Sequence, residues 1–157
     1  MVAEIKEDHR TVSAVMLCQK SQHPWADLNW SLLGLIPSLS ETELQQAAEQ
    51  GDVHYWSDLA LQLYPLHCDA YYHNLVSQQP KVYLVCNQDE KNKPQPLLLT
   101  VDYDEAASYM ETGEQVFNAN LPVELCQWLE QFVLTHYQPE KPKKRRRENW
   151  HQGGQKT

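Results

Sequence analysis

The order of strand-like and helix-like segments restricts the fold of this chain more than any single motif does. Short runs of apolar and β-branched residues are typical of strands, and segments with apolar residues at helical spacing separate them. From the N-terminus the order is β-β-α-β-α-β-β-α-β-α, without the regular alternation of parallel α/β proteins. We therefore predict an α+β fold: a mainly antiparallel sheet of five to six strands, with three to four helices packed on one face or end. No internal repeat is visible.

Six segments have the composition of strands. We expect the first two to pair as a wide hairpin around a loop that contains His23 and Pro24. The fourth, KVYLVCN, has the clearest strand pattern. The predicted strands are Thr11–Cys18, Trp30–Ile36, Val53–Tyr64, Lys81–Asn87, Leu97–Tyr103 and Gln115–Ala119.

Two predicted helices carry signals at both ends. Each begins at a polar residue followed three positions later by Glu, which is the spacing of a capping box, and each ends at a glycine suited to a helix C-terminus. The pairs are Ser40 with Glu43 and Asp102 with Glu105, and the glycines are Gly51 and Gly113.

Two further helices are predicted from apolar periodicity. The first ends before Pro80, and its apolar face comprises Leu66, Ala70, His73, Leu75 and Val76. The second is a long C-terminal amphipathic helix that begins at Pro122 and ends before Pro139. Its predicted buried face comprises Leu125, Trp128, Leu129, Phe132, Val133 and Tyr137.

Charge divides the chain into a body and a tail. Residues 141–157 contain seven basic residues and one glutamate, a formal charge of +6, which leaves −14 on residues 1–140 of a chain whose net charge is −8. We predict an N-terminal arm at 1–10, a single α+β domain at 11–139 and a basic disordered tail at 140–157.

The acidic body disfavours nucleic acid and anionic membranes as partners of the folded surface, whereas the tail is suited to an anionic partner. An acidic protein is the preferred partner, because the basic run lacks interleaved aromatic residues. Nucleic acid binding through the tail is the alternative. The candidate partner-binding residues of the tail are Lys143, Lys144, Arg145, Arg146 and Arg147.

The N-terminus and the cysteines predict a cytoplasmic protein with reduced thiols. Met1–Arg10 is mixed in charge, unlike a basic leader, and the apolar stretch from Val12 to Cys18 is too short to span a membrane. The four cysteines include no C-x-x-C pair. We expect no membrane partner.

A metal or redox site is the least favoured hypothesis, and it would use Cys68, Cys86 and the histidines His54, His67 and His73. Adjacent helical residues point about 100° apart, so His67 and Cys68 cannot easily share one ion. We predict a buried thiol beside a partly exposed imidazole, with neither a metal site nor a bound cofactor.

No motif of a known catalytic site is present. The acidic residues Asp102, Asp104 and Glu105 are explained by helix capping and the helix dipole. The five glycines build no phosphate-binding loop before a helix. We therefore predict a protein that is not an enzyme.

Trp25 and Trp30 flank a polar turn and are candidate partner-binding residues, because Trp is enriched in binding hot spots. Trp30 opens an apolar strand, so a role in anchoring the core is favoured for it. Trp25 is the tryptophan expected to be exposed.

Four segments of the chain carry a distinctive set of features: two tryptophans, a Tyr-x-Asn-Leu helix, an Asp-Glu-Ala turn, and a terminal helix followed by Pro-Glu and a basic stretch. They are Trp25 and Trp30, Tyr72-x-Asn74-Leu75, Asp104-Glu105-Ala106 and Pro139-Glu140, within the segments His23–Pro37, Leu66–Val85, Thr100–Met110 and Leu121–Glu140. With these features the chain resembles a bacterial family, domain of unknown function 3305.

The resemblance implies a cellular role. Members of that family are typically encoded beside the subunits of molybdenum formate dehydrogenase, their sulfurtransferase and their chaperone. The resemblance therefore implies that this chain is a noncatalytic accessory protein in the assembly, maturation or expression of that enzyme. Its implied partner is a formate dehydrogenase subunit or one of its assembly factors. His67-Cys68 and the helix after Ser40 depart from the family's pattern.

Overall fold

In the part of the chain that the structure describes, six strands and four α-helices follow one another in the order predicted from the sequence. The computed structural model describes residues 8–20, 28–36, 39–88 and 93–137. The strands are β1 (His9–Lys20), β2 (Leu28–Ile36), β3 (Asp52–Gln62), β4 (Lys81–Gln88), β5 (Pro94–Thr100) and β6 (Gln115–Asn120). The helices are α1 (Glu41–Gln50), α2 (Cys68–Val76), α3 (Tyr103–Glu111) and α4 (Val123–His136), and a 3₁₀ turn at Pro65–His67 precedes α2.

The strands form one sheet in the order β2-β1-β3-β5-β4-β6. All neighbouring strands are antiparallel except β3 and β5, whose parallel pairing is limited to Leu61 opposite Leu99. The outer strands β2 and β6 approach each other, so the sheet curls nearly into a barrel. This architecture confirms the predicted single α+β domain with a mainly antiparallel sheet.

The two halves of the described chain repeat one topology. Residues 9–76 and 81–136 each consist of a hairpin, a helix, a third strand and a second helix. In each half the first strand of the hairpin lies between the other two strands. The first helix of each half also lies between an N-cap residue and a glycine that are eleven positions apart, Ser40 and Gly51 in one half and Asp102 and Gly113 in the other. The sequence analysis missed this repeat because the side chains of the halves differ.

The core lies on the inner, concave face of the sheet and is closed by α2 and α4. Alternate residues of the central strands point into it, as in Val12, Ala14 and Met16 of β1 and in Val82, Leu84 and Cys86 of β4. The predicted face of α4 is buried there from Leu125 to Val133, whereas Tyr137 is half-buried. Among the described residues, no helix combines the length and apolarity that crossing a membrane requires.

Helices α1 and α3 lie on the opposite, outer face. Each connects two strands that run in the same direction on either side of a central strand, so the chain must cross that strand outside the core. Ala47 of α1 and Ala106 of α3 are buried but do not belong to the core cluster. The helices therefore cover both faces, whereas the sequence analysis placed them on one face or end.

The predicted apolar face of α2 is wrong in most positions, although Leu75 does pack against the core. Leu66 is 93% exposed and Val76 is 59% exposed, whereas Cys68 and Tyr71 are buried. Because residues 65–67 form a 3₁₀ turn, α2 begins only at Cys68. The buried side of the helix therefore differs from the one predicted by counting helical turns from Leu66. Tyr71 is held by its hydroxyl, which accepts a hydrogen bond from the backbone N–H of Tyr64 (3.0 Å).

Candidate interaction surface

Three aromatic rings meet at one end of the inner face. Trp30 of β2 and His54 and Trp56 of β3 form this tryptophan cluster, with ring centroids 4.9 Å apart for Trp30 and His54, 5.8 Å for His54 and Trp56, and 6.2 Å for Trp30 and Trp56. Strand β1 aligns them, because Cys18 lies opposite Trp30 and Met16 lies opposite His54. Residues paired in this way point to the same face of a sheet, so the rings extend the core toward its open end.

The tryptophan cluster is partly exposed to solvent, and a lysine ammonium lies next to it. Trp30 and Trp56 are half-buried and pack against the core. The ammonium of Lys93 lies 5.5 Å from the ring centroid of Trp56, a distance at which cation–π attraction operates. Leu28, two residues before Trp30 on the same strand face, is 52% exposed. The result is an apolar, aromatic surface at the end of the sheet where residues 21–27 join β1 to β2.

The structure places Trp30 where the sequence favoured it, packed on the core. Trp25 lies outside the described residues, as do the predicted binding residues of the tail, Lys143, Lys144, Arg145, Arg146 and Arg147. His54 and Trp56 were missed as members of an aromatic surface, because only the pairing of β1 with both β2 and β3 brings them to Trp30. Alternation along β3 offered a weak signal, since His54 and Trp56 share a strand face.

The residues considered for a metal site are dispersed. His54 belongs to the tryptophan cluster, while His67 bonds to Asp102 (Nδ1 to Oδ2, 2.7 Å). Across the described ranges, no three His, Cys, Asp or Glu side chains are grouped to hold a metal ion. The structure agrees with the predicted local arrangement, a buried Cys68 beside a His67 whose side chain is 41% exposed.

All four cysteines are free thiols whose pKa is raised. Burial raises the pKa of Cys86 to about 12 and also raises that of Cys68. Burial and then the charge of Asp52 raise the pKa of Cys18, and burial and then the charge of Glu130 raise that of Cys126. These thiols are therefore protonated at neutral pH, whereas a reactive or metal-binding cysteine acts as the thiolate.

Hydrogen bonds of Asp102 connect the start of α3 to the 3₁₀ turn that precedes α2. Its side chain is almost fully buried, and its Oδ1 accepts hydrogen bonds from the backbone N–H groups of Asp104 (2.9 Å) and Glu105 (3.3 Å). Its Oδ2 faces Nδ1 of His67 at the start of α2. The predicted capping role of Asp102 is confirmed, and the carboxylate additionally orients an imidazole of the 3₁₀ turn that precedes α2.

Asn74 fastens α2 to the sheet. Its amide nitrogen donates to the carbonyls of Lys81 (2.8 Å) and Val101 (3.0 Å), and its amide oxygen accepts from the N–H of Lys81 (2.9 Å). These bonds satisfy backbone groups at the start of β4 and between β5 and α3. The asparagine of the Tyr-x-Asn-Leu segment therefore has a structural role.

Comparison with known proteins identifies a family. The model of a family described as a protein of unknown function (DUF3305) matches residues 11–147. No curated protein and no solved structure matches the chain. The matched range contains every described helix and strand in full except β1, whose first two residues precede it.

Proposed function

The chain belongs to the DUF3305 family of proteins of unknown function, and from this premise we propose that it is a noncatalytic accessory protein of a molybdenum formate dehydrogenase. It supports the assembly, maturation or expression of that enzyme through protein–protein contacts. The genomic association implied by the family resemblance supports the choice of enzyme. The chemistry of the chain's surface supports the mode of action.

The tryptophan cluster is the observation that carries the proposal. Aromatic side chains supply large contact areas at little entropic cost, and a partner that covers them gains the burial of the exposed part of each ring. Leu28 extends the surface with an aliphatic side chain that is 52% exposed. The ammonium of Lys93, next to the ring of Trp56, gives this rim a positive charge.

The basic tail adds a second, electrostatic contact in this proposal. Its formal charge of +6 is opposite to that of the body, and a partner with an acidic surface would be attracted over a distance of about 8–10 Å at physiological salt. Such a contact accelerates association, whereas the buried aromatic surface sets the lifetime of the complex. The two parts thus make separable contributions.

Complementation in a deletion strain tests the proposal. Cells that lack the gene should lose formate dehydrogenase activity, and the intact gene should restore it. A gene carrying Trp25→Ala, Leu28→Glu and a deletion of residues 141–157 should restore about a tenth of that activity or less, since the tail is absent and a charge is placed on the apolar surface beside the tryptophan cluster. Leu28→Glu places a charge at an exposed position and leaves the core intact.

The matched control is Leu134→Glu, which introduces the same charge on α4 at a position that is 73% exposed. This control should restore full activity. Equal amounts of each variant in the cells must be verified by immunoblotting. Full activity with the triple change would refute a role for these surfaces, and unchanged activity in the deletion strain would refute the link to formate dehydrogenase.

A further inference from the structure

A groove of about 410 Å³ separates α2 from the start of α3, with β4 as its floor. We call it the α2–α3 groove. The residues that determine its chemistry are Asp69, His73, Lys81, Tyr83, Tyr103 and Asp104. The proposed function uses none of them.

The walls of the groove combine carboxylates with aromatic rings. Asp69 and Asp104 are exposed, and Tyr103 is 54% exposed and makes an edge contact with Tyr83 (5.7 Å between centroids). A guanidinium can pair with a carboxylate through two N–H groups while its flat face stacks on a ring. Lys81 is the lysine among the described lining residues, and its ammonium already donates to Asn120 Oδ1 (2.9 Å). The groove is therefore suited to arginine and lysine side chains.

The described chain ends next to this groove, just after the C-terminus of α4. The ring of Tyr137, the last described residue, stacks on Tyr72 with centroids 5.3 Å apart and planes 9° apart. Its hydroxyl donates to Oδ1 of Asp69 (3.3 Å), which is a wall of the groove. Lys141 follows four residues later, a reach of at most about 14 Å, and Arg147 follows ten residues later, a reach of at most about 36 Å.

We propose that the basic segment Lys141–Arg147 docks in the α2–α3 groove of its own chain. Its arginines and lysines pair with Asp69 and Asp104 and stack on Tyr103. A docked tail is withheld from other anionic surfaces until a stronger acidic partner or high salt displaces it. This contact is intramolecular, so it stands or falls independently of any role in formate dehydrogenase biogenesis.

Backbone amide NMR spectra of the purified full chain and of a chain that ends at Glu140 test the contact. The two spectra should differ mainly at Asp69, His73, Tyr103 and Asp104. The differences should shrink when salt is raised from about 0.05 to about 0.5 M, because ion pairs at a surface are screened. They should not change on dilution, since a contact within one chain does not depend on concentration. Dilution-dependent differences would assign the tail to a second copy and overturn the proposal.

Charge variants locate the contact. A synthetic peptide of residues 141–157, titrated into the chain that ends at Glu140, should bind at the same amides. Replacing both groove carboxylates, Asp69→Asn and Asp104→Asn, should weaken its affinity by about fivefold or more. The matched control removes two other exposed helical carboxylates, Glu49→Gln and Glu130→Gln, and should change the affinity by less than about twofold. Equal weakening by both pairs of substitutions, or amide shifts spread over the acidic surface, would show nonspecific attraction and refute docking in the groove. The absence of binding would also refute it.

Discussion

At the scale of single residues, Asn74 accounts for a segment that the family resemblance singled out. Its partners, Lys81 and Val101, are 7 and 27 residues away, so no local pattern could have predicted the three hydrogen bonds that it makes. An asparagine in a helix is unremarkable in sequence. Its role depends on the tertiary position of α2 against β4.

Replacing Asn74 by Asp should destabilise the fold by about 2–3 kcal/mol. The carboxylate keeps the bond from the N–H of Lys81, but it cannot donate to the two carbonyls and faces them with a negative charge. Urea denaturation followed by far-UV circular dichroism measures the loss. The control Gln79→Glu introduces the same charge at an exposed position nearby and should cost less than about 0.5 kcal/mol.

Cys86 should make the stability of the protein fall at alkaline pH. Its pKa is about 12 in the folded state, because of burial, against an ordinary value of 9.0. Between these values the unfolded chain loses the thiol proton while the folded chain retains it. The folded state then binds more protons, so the free energy of unfolding decreases as pH rises, by at most about 1.4 kcal/mol per pH unit for this group.

Cys86→Ala tests that dependence. The variant should lose about 1–2 kcal/mol of stability at neutral pH through lost packing. Between about pH 9 and pH 10 its stability should fall less steeply than that of the unmodified protein, as measured by urea denaturation at each pH. Cys126→Ala, at a half-buried site, should change the slope less. Identical slopes for the unmodified protein and Cys86→Ala would contradict this account.

At the scale of elements, the helices with capping signals were predicted well. Ser40 and Glu43 form the expected reciprocal capping box of α1. Asp102 caps α3, but its own N–H donates to Oγ1 of Thr100 (3.0 Å) and not to Glu105, so the second predicted capping box is only half formed. Both helices end close to the glycines that mark their C-termini, but the two glycines act differently. Gly113 has a φ of +93°, whereas Gly51 is extended and lies against the carbonyl of Cys18. That close approach was hidden in the sequence because it joins two distant segments.

Alanine substitution should separate the two glycines. Gly51→Ala places a methyl group against the carbonyl oxygen of Cys18, which belongs to the central strand β1, and should cost more than about 2 kcal/mol. Gly113→Ala meets open space and should cost only the backbone strain of a positive φ, about 1 kcal/mol. Thermal and urea denaturation provide the comparison. A larger loss for Gly113→Ala would show that the packing around Gly51 yields easily.

The contrast between α4 and α2 shows where periodicity succeeds. Helix α4 spans 14 residues and keeps one phase, so five of its six predicted face residues are buried. Helix α2 has nine residues and follows a 3₁₀ turn, so of the face counted from Leu66 only Leu75 packs against the core. A short helix offers too few turns to correct an error of phase.

Truncation of two residues of α4 should lower the stability by very different amounts. Phe132 is 4% exposed and contacts Tyr71 of α2 edge-on (6.1 Å between centroids), so Phe132→Ala should cost about 3–4 kcal/mol. Leu134 is 73% exposed, and Leu134→Ala should stay within about 0.5 kcal/mol. Denaturation of both variants under one condition checks the assignment. A large loss at Leu134 would mean that this face of α4 is covered in solution.

At the scale of the whole molecule, the class of fold followed from the order of elements, whereas the candidate surface did not. The tryptophan cluster arises from strands that are adjacent to β1 on opposite sides, and His54 follows Trp30 by 24 residues. Sequence analysis named Trp30 and treated His54 as a metal candidate. The structural repeat was recognised in the topology, where both halves share the order of elements and the arrangement of their three strands.

Affinity capture from cells grown with formate and molybdate tests the central claim most directly. The tagged chain should enrich a formate dehydrogenase subunit or one of its assembly factors, and the chain with Trp25→Ala and Leu28→Glu should enrich it about tenfold less. Leu134→Glu serves again as the control and should retain the partner. Recovery of no formate dehydrogenase component by the intact chain, or of nucleic-acid-binding proteins in its place, would contradict the proposed function.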